Sequence, residues 1–366
     1  MARRIAINGF GRIGRLTFRA LCVRQPGEID VVAVNDPAGA HTGSLLLEYD
    51  SNYGRFPGTI TSHAGHIHVD EKRIRVFRER DWTKLDWGAL GVHTVLECSG
   101  AGTTRERAAV HLQQGAKLVI ISAPARRDDA TLVMGVNHQT YQPGRHTVIS
   151  NGSCTTNCLA PVALVLHEAF GIKWGLLTTV HSYTNSQNIH DRGARDARES
   201  RAGALNIIPT DTGAARALGR VIPSLQGKFD GMAFRVPTPT VSVIDFVCEL
   251  ERPITKEAVI DAFRQAAVGR MRGLLSVSDQ PLVSMDYKGD EHSAVVDAPA
   301  TLVLGDRIVK IIAWYDNEWG YACRLGDLAA YTARADHAAG LAEPALAEML
   351  DESVAEEPEE ELVPEI

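Results

Sequence analysis

Ser150-Asn151-Gly152-Ser153-Cys154-Thr155-Thr156-Asn157-Cys158 is the densest polar cluster in the chain. It lies between a β-rich segment and an apolar, helix-like stretch, which puts Cys154 at a helix N-terminus. Free amides and the helix dipole favour a thiolate there, so Cys154 is a candidate nucleophile. Cys158 sits one helical turn deeper and reads as a core thiol. Cys22, Cys98, Cys248 and Cys323 lie in apolar runs and read as packing residues. A zinc reading of the C-x3-C pair lacks a second ligand pair at suitable spacing, so no metal is expected. A nucleophilic thiol needs a base, and the chain offers 13 histidines. His181 stands out because it ends the β-branched run Leu176-Leu177-Thr178-Thr179-Val180 and precedes Ser182, Tyr183 and Thr184. Spacing alone leaves the other histidines open.

A second cluster points to a dinucleotide. Asn8-Gly9-Phe10-Gly11-Arg12-Ile13-Gly14-Arg15 contains G-x-G-x-x-G between a strand-like and a helix-like segment, and Asp36 closes the next strand. Glycines there let the backbone approach a pyrophosphate, which rests on the helix N-terminus. The Asp36 carboxylate suits ribose hydroxyls and repels a 2′-phosphate, which favours NAD over NADP. Thr210-Asp211-Thr212-Gly213 precedes a short helical stretch and offers amides and a hydroxyl to an anion. Arg198, Arg201 and Arg235 offer guanidinium forks.

These groups need a scaffold. Residues 4–8 and 31–35 are short β-branched runs with helical spacing at 13–23 between them. Thr94–Glu97 and residues 118–122 add strands with a helical segment between, the rhythm of a parallel βαβ sheet. Beyond about residue 150 the texture changes. Cys154–Phe170 reads as a helix, and residues 176–181, 232–236, 241–250 and Ile308–Tyr315 read as strands. Long strands with few helices predict a mixed or antiparallel sheet. A last helical stretch runs over 320–334. The expected fold is α/β, with an N-terminal Rossmann domain over 1–153 and an α+β catalytic domain over 154–318. A C-terminal helix over 319–337 is expected to pack back on the first domain.

A chain of 366 residues has room for two cores. With 45% hydrophobic and 23% charged residues it is neither disordered nor fibrous. Six cysteines without framework spacing point to reduced thiols. No apolar run approaches the roughly 18 residues of a membrane helix. The N-terminus shows no signal-peptide pattern, so a cytoplasmic location is expected. Residues 343–366 hold ten of the chain's 45 acidic residues, three prolines and no Lys or Arg. They read as a disordered, solvated tail that solubilises the protein or binds a partner. The formal charge of −7 therefore misleads, because residues 1–342 carry 35 acidic against 38 basic residues. A slightly basic body suits anionic small molecules and is no mark of a nucleic-acid binder.

Four motifs then converge on one family. Ser153-Cys154-Thr155-Thr156-Asn157-Cys158, His181-Ser182-Tyr183-Thr184, Phe234-Arg235-Val236-Pro237-Thr238 and Trp314-Tyr315-Asp316-Asn317-Glu318-Trp319-Gly320-Tyr321 resemble phosphorylating glyceraldehyde-3-phosphate dehydrogenase. The run from Asn8 to Arg15 resembles that family's opening, and the likeness extends in order over roughly residues 3–335. The resemblance implies that Cys154 attacks an aldehyde and His181 acts as base. Asn317 would orient the nicotinamide carboxamide. Thr184 and Arg235 would hold the substrate's phosphate, and Ser153, Arg198, Thr212 and Gly213 the attacking inorganic phosphate. Thr155 is placed with these substrate contacts. Gly9, Gly11, Arg12, Ile13, Gly14, Asp36, Arg80 and Ser122 would contact NAD. The resemblance also implies a homotetramer in which residues 182–204 form a loop packed between subunits.

Three positions depart from the family pattern. Ser186 stands where many members carry aspartate, which bears on the substrate-phosphate pocket. Arg192-Gly193 matches neither the Leu-Pro nor the Ala-Ser pair found after the aspartate corresponding to Asp191, and an arginine there leaves NADP use open. The acidic tail holds no cysteine, so disulfide gating by it has no support. The alternatives are an erythrose-4-phosphate dehydrogenase, an arsenate-linked variant, or a non-catalytic binding protein on the same fold. Presence of Cys154, His181, Arg235 and Asn317 together weighs against the last.

Overall fold

Alternating strands and helices wind the first part of the chain into a nine-stranded sheet. Its strands are β1 (Arg3–Asn8), β2 (Ile29–Asn35), β3 (Ile60–His63), β4 (His66–Val69), β5 (Lys72–Phe77), β6 (Thr94–Glu97), β7 (Leu118–Ile121), β8 (Ala130–Thr131) and β9 (Val148–Ser150). The spatial order is β8-β9-β7-β6-β1-β2-β5-β4-β3. Pairs along this order are parallel except for β3, β4 and β5, which form an antiparallel extension. Strands β6 and β7 are buried at every position, as expected where helices cover both faces of a parallel sheet. The computed structural model describes residues 2–25, 27–194 and 196–341, so the acidic tail lies outside the described residues.

Helix α1 (Arg12–Arg24) follows β1 directly and buries Leu16, Phe18 and Leu21. Helix α2 (Gly39–Glu48) follows β2. The second sheet is mixed. It comprises β10 (Ile172–Ser182), β11 (Ile208–Asp211), β12 (Phe229–Val236), β13 (Ser242–Leu250), β14 (Leu275–Ser278), β15 (Ala294–Asp297), β16 (Leu302–Leu304) and β17 (Ile308–Tyr315). Helices α3 (Cys154–Phe170), α4 (Ala214–Val221) and α5 (Lys256–Val268) share one core with Leu177, Ile244, Phe246 and Ile311 of this sheet. The last helix, α6 (Trp319–Ala338), returns to the first sheet, where Leu325, Leu328 and Ala329 join Ile5, Phe18 and Leu21 in one cluster. A buried ion pair fixes that return: Arg3 Nη1 lies 2.9 Å from Asp336 Oδ2, and Tyr141 donates to Asp336 Oδ1.

Several local expectations change. The segment between β6 and β7 is two four-residue helical turns, Arg105–Ala108 and Val110–Gln113, rather than one helix. Val241 lies outside its strand in the left-handed region, with φ 67°, and β13 starts at Ser242. Cys22 is exposed on α1 instead of serving as a packing residue, because helical rotation turns it outward beside Val23. Cys158, Cys248 and Cys323 are buried.

Candidate active site

At the β1–α1 turn each glycine has its own reason. Gly9 has φ 91°, and a Cβ there would lie 2.5 Å from the Ser99 backbone. A Cβ on Gly14 would lie 2.2 Å from the Gly9 carbonyl oxygen, so only glycine lets α1 start this close to the turn. Gly11, the α1 N-cap, has open space beside it, as a ligand needs. Ile13 lies in the first turn of α1, whose amides precede the intrahelical bonds. Asp36 ties the next strand to this turn: its Oδ2 accepts from Phe10 N–H at 2.9 Å and its Oδ1 from Ala38 N–H at 2.9 Å. Open amides at a helix start and a carboxylate at the end of β2 fit a pyrophosphate and a ribose. Arg80 is exposed, and Ser122 N–H donates to the Glu97 carbonyl. The Arg12 guanidinium is committed elsewhere, to Asp50 at 2.7 Å and to Glu318 beside Asn317.

Ser153 caps α3: its hydroxyl accepts from Thr156 N–H at 3.0 Å. Cys154, the first helical residue, brings Sγ to 3.4 Å from His181 Nε2. His181 reaches that point because β10 carries it to the strand's end, where it pairs in register with Arg235 of β12. Its Nδ1 lies 2.7 Å from the Ser182 carbonyl oxygen and 2.6 Å from Arg235 Nη1. The Tyr315 ring meets the imidazole edge-on. Burial, and then the Arg235 charge, push His181 down from 6.5 to about 3. Burial pushes the Cys154 thiol up, while Arg235 and hydrogen bonding at Thr155 pull against it. Cys154 Sγ thus faces a buried imidazole at hydrogen-bonding distance, the pairing in which a base takes a thiol proton.

Asn317 Oδ1 accepts from the Ser182 and Ser242 hydroxyls, both at 2.9 Å. That assigns the amide's orientation and couples it to the strand of His181. Asp316 accepts from Tyr53 Oη at 2.7 Å, Thr240 Oγ1 at 3.0 Å and the Glu318 and Trp319 amides, which holds the start of α6.

The candidate anion groups occupy three places. Thr184 Oγ1 lies 2.9 Å from Ser186 Oγ, and Thr184 N–H donates to Gln187 Oε1. Arg198 is exposed. Its neighbour Glu199 accepts from Thr210 Oγ1 at 2.6 Å, which ties that loop to β11. Thr212 Oγ1 accepts from Ala214 N–H at the start of α4, beside an open Gly213. Thr155 Oγ1 lies 2.9 Å from Tyr315 Oη, and hydrogen bonding from Thr155 also favours the Cys154 thiolate. Arg201 is engaged by Asp191 at 2.8 Å.

Residue spacing did not reveal Glu97. This buried carboxylate accepts from Asn8 Nδ2, Ser99 N–H and His111 Nε2, and so braces the β1–α1 turn. Ser242 and the Arg12–Glu318 link were also missed, since no local pattern joins residues 306 positions apart. For Glu97 and Ser242 the only signal was a polar residue in a mostly apolar strand.

The sequence model of the glyceraldehyde 3-phosphate dehydrogenase NAD binding domain matches residues 3–105, and that of the C-terminal domain matches residues 153–317. The chain is 54% identical over 333 residues to glyceraldehyde-3-phosphate dehydrogenase of Geobacillus stearothermophilus, covering 91% of this chain and 99% of that one. It is 52% identical over 334 residues to glyceraldehyde-3-phosphate dehydrogenase 1 of Bacillus subtilis, with coverage of 91% and 99%. Against glyceraldehyde-3-phosphate dehydrogenase 2 of Streptomyces arenae the identity is 52% over 329 residues, with coverage of 90% and 98%.

Proposed function

The chain belongs to the glyceraldehyde-3-phosphate dehydrogenase family, and from that premise we propose that it oxidises and phosphorylates glyceraldehyde 3-phosphate with NAD, through a thioester on Cys154. The observation that carries the residue assignment is Cys154 Sγ at 3.4 Å from His181 Nε2, at the start of α3. Cys154 Sγ attacks the aldehyde carbon while its proton passes to His181, which returns it to the new oxyanion to give a hemithioacetal. His181 then removes the hemithioacetal hydroxyl proton as the thioester forms. NAD, when bound, supplies the hydride acceptor. Gly9, Gly11, Ile13, Gly14, Asp36, Arg80, Ser122 and Asn317 are assigned to holding it, with Arg12 contributing through its backbone. Inorganic phosphate attacks the thioester carbon, the C–S bond breaks, and Cys154 leaves as thiolate with the acyl phosphate as product. Thr184 and Arg235 are assigned to the substrate's phosphate. Ser153, Arg198, Thr212 and Gly213, with Thr155, are assigned to the attacking one.

The domain limits proposed are 1–153, 154–318 and 319–337, with residues 343–366 as a solubilising or partner-binding appendage. A cytoplasmic homotetramer is proposed as the working form. Its support is apolar surface: Trp174, Leu176, Val180 and Met232 lie exposed on the second sheet, and Ile189, Leu205 and Ile207 on the loop after β10. Among the described residues no helix is long and apolar enough to cross a membrane.

Steady-state kinetics with glyceraldehyde 3-phosphate test the function, comparing NAD with NADP in phosphate and in arsenate. Phosphate-dependent reduction of NAD is expected. Phosphate-independent oxidation of erythrose 4-phosphate as the better reaction would overturn the assignment.

A further inference from the structure

Beside Cys154 lies a cavity of about 10 Å³, bordered by Cys154 and Asn157 of α3, Ser293 just before β15, and Tyr315, Asp316 and Tyr321. That volume suits a single water, and a buried water needs two to four polar partners. Most of the polar side chains around it are already engaged. Tyr315 Oη pairs with Thr155 and Thr179, Tyr321 donates to the Gly152 carbonyl, and Asp316 Oδ2 accepts from Gly289 N–H. Two buried oxygens are not: Asn157 Oδ1 and Ser293 Oγ have no hydrogen-bond partner among the described residues.

The chemistry of these two oxygens is complementary. Asn157 Nδ2 donates to the Asn151 carbonyl at 2.7 Å and to the Ser153 carbonyl at 3.0 Å, which fixes the amide's orientation. Oδ1 is therefore the acceptor end and requires a donor. Ser293 brings a hydroxyl hydrogen. A water between them accepts from Ser293, donates one hydrogen to Asn157 Oδ1 and retains a second hydrogen to give.

We propose that this cavity holds one ordered water, fixed by Asn157 and Ser293, which donates its second hydrogen to Cys154 Sγ. The sulfur then meets a fixed donor in addition to the His181 ring at 3.4 Å. Burial works against charge on this thiol, so a donor held in place has something to offset. Negative charge reaches the sulfur twice in the proposed reaction, when its proton passes to His181 and when the C–S bond of the thioester breaks. A preorganised donor favours both steps. In the thioester both hydrogens of the water are committed and neither acceptor is a base, so the water is a donor and not a nucleophile. Asn157 and Ser293 act through the water and are positioning residues. The proposal rests on Cys154 as the nucleophile.

Iodoacetamide alkylation followed across pH, without substrate, reads the sulfur directly. The titratable groups facing Cys154 are His181 from β10, Arg235 from β12, Tyr315 from β17 and Tyr321 from α6, with His292 and Asp316 on the cavity wall. Ser293→Ala leaves all of them in place. It should slow alkylation on the acid side about tenfold, the lower range for a hydrogen bond to a charged group, and move the midpoint upward. KM for glyceraldehyde 3-phosphate should not change. A lower melting temperature with an unchanged alkylation profile makes Ser293 a packing residue and overturns the proposal. Peptide mapping that finds the label on another cysteine overturns the nucleophile assignment instead, so the two failures are distinguishable. A crystal structure of the wild-type enzyme with its waters ordered gives a readout independent of the variant's folding. One water within hydrogen-bond distance of Asn157 Oδ1, Ser293 Oγ and Cys154 Sγ is expected. No water there, or one out of reach of the sulfur, contradicts the proposal.

Discussion

Between Asn8 and Arg15 the chain offers open backbone, whereas around Cys154 it offers side chains drawn from α3, β10, β12 and the link into α6. In the first region the requirement is for atoms to be absent: no Cβ fits at Gly9 or Gly14, and Gly11 borders open space. In the second the requirement is for ionisable groups held out of water beside a cation, with His181 4% exposed and Arg235 against its ring. The first region is local in sequence and built against steric overlap. The second is gathered from distant segments and governed by electrostatics. Substitutions in the first should therefore damage binding and stability, and those in the second should damage turnover with the fold intact.

The largest effect belongs to the second region. Cys154→Ser should lower turnover by about 10³-fold or more while leaving the melting temperature and NAD affinity near the wild type. Near-normal turnover would break the contrast. His181→Asn should cost roughly 10²–10⁴ in kcat, with the Kd for NAD unchanged by fluorescence titration. In the first region the order inverts. Gly14→Ala meets the Gly9 carbonyl at 2.2 Å and should lose about 2–4 kcal/mol by thermal or urea unfolding. Gly11→Ala meets nothing within 4 Å, so it should weaken NAD binding with little change in stability. Equal unfolding losses in the two alanine variants would show that space at the turn is not what selects glycine.

Acid sharpens the comparison further, with a smaller effect. Burial and Arg235 hold His181 at about 3, and burial with Arg3 and Lys117 hold His93 at about 3, both below the ordinary 6.5. Each therefore binds protons more readily when unfolded. Their contribution to stability is full above about pH 6.5 and is lost as pH falls toward 3, so unfolding free energy should rise with pH across that window. His93→Gln should flatten the slope without touching turnover. The smallest effect is expected from truncation after Ala342, which should leave kcat and KM intact; a collapse of activity would make the tail part of the catalyst.

What the sequence reveals follows the same division. The limits of α3 coincide with the expected helix because Ser153 caps its start and Gly171, at φ 73°, ends it. Both signals are local. Strands β3 and β4 escape notice because each is four residues long, too short for its period to stand out. Helix α2 begins at Gly39 without a side-chain cap or an acidic first turn, so it shows no start signal. Likewise the glycine turn is readable from spacing. The meeting of Cys154, His181 and Arg235 is set by the register of β10 on β12, which no spacing encodes, and only the likeness of whole motifs to a family brought those residues together.

The central claim is that Cys154 carries the acyl group between oxidation and phosphorylation. Mixing the enzyme with glyceraldehyde 3-phosphate and NAD in phosphate-free buffer, quenching in acid and mapping peptides by mass spectrometry tests it most directly. The account predicts a 3-phosphoglyceroyl thioester on the peptide containing Cys154, which disappears when inorganic phosphate is added. NADH formation without that adduct, or with the acyl group on another residue, would contradict it.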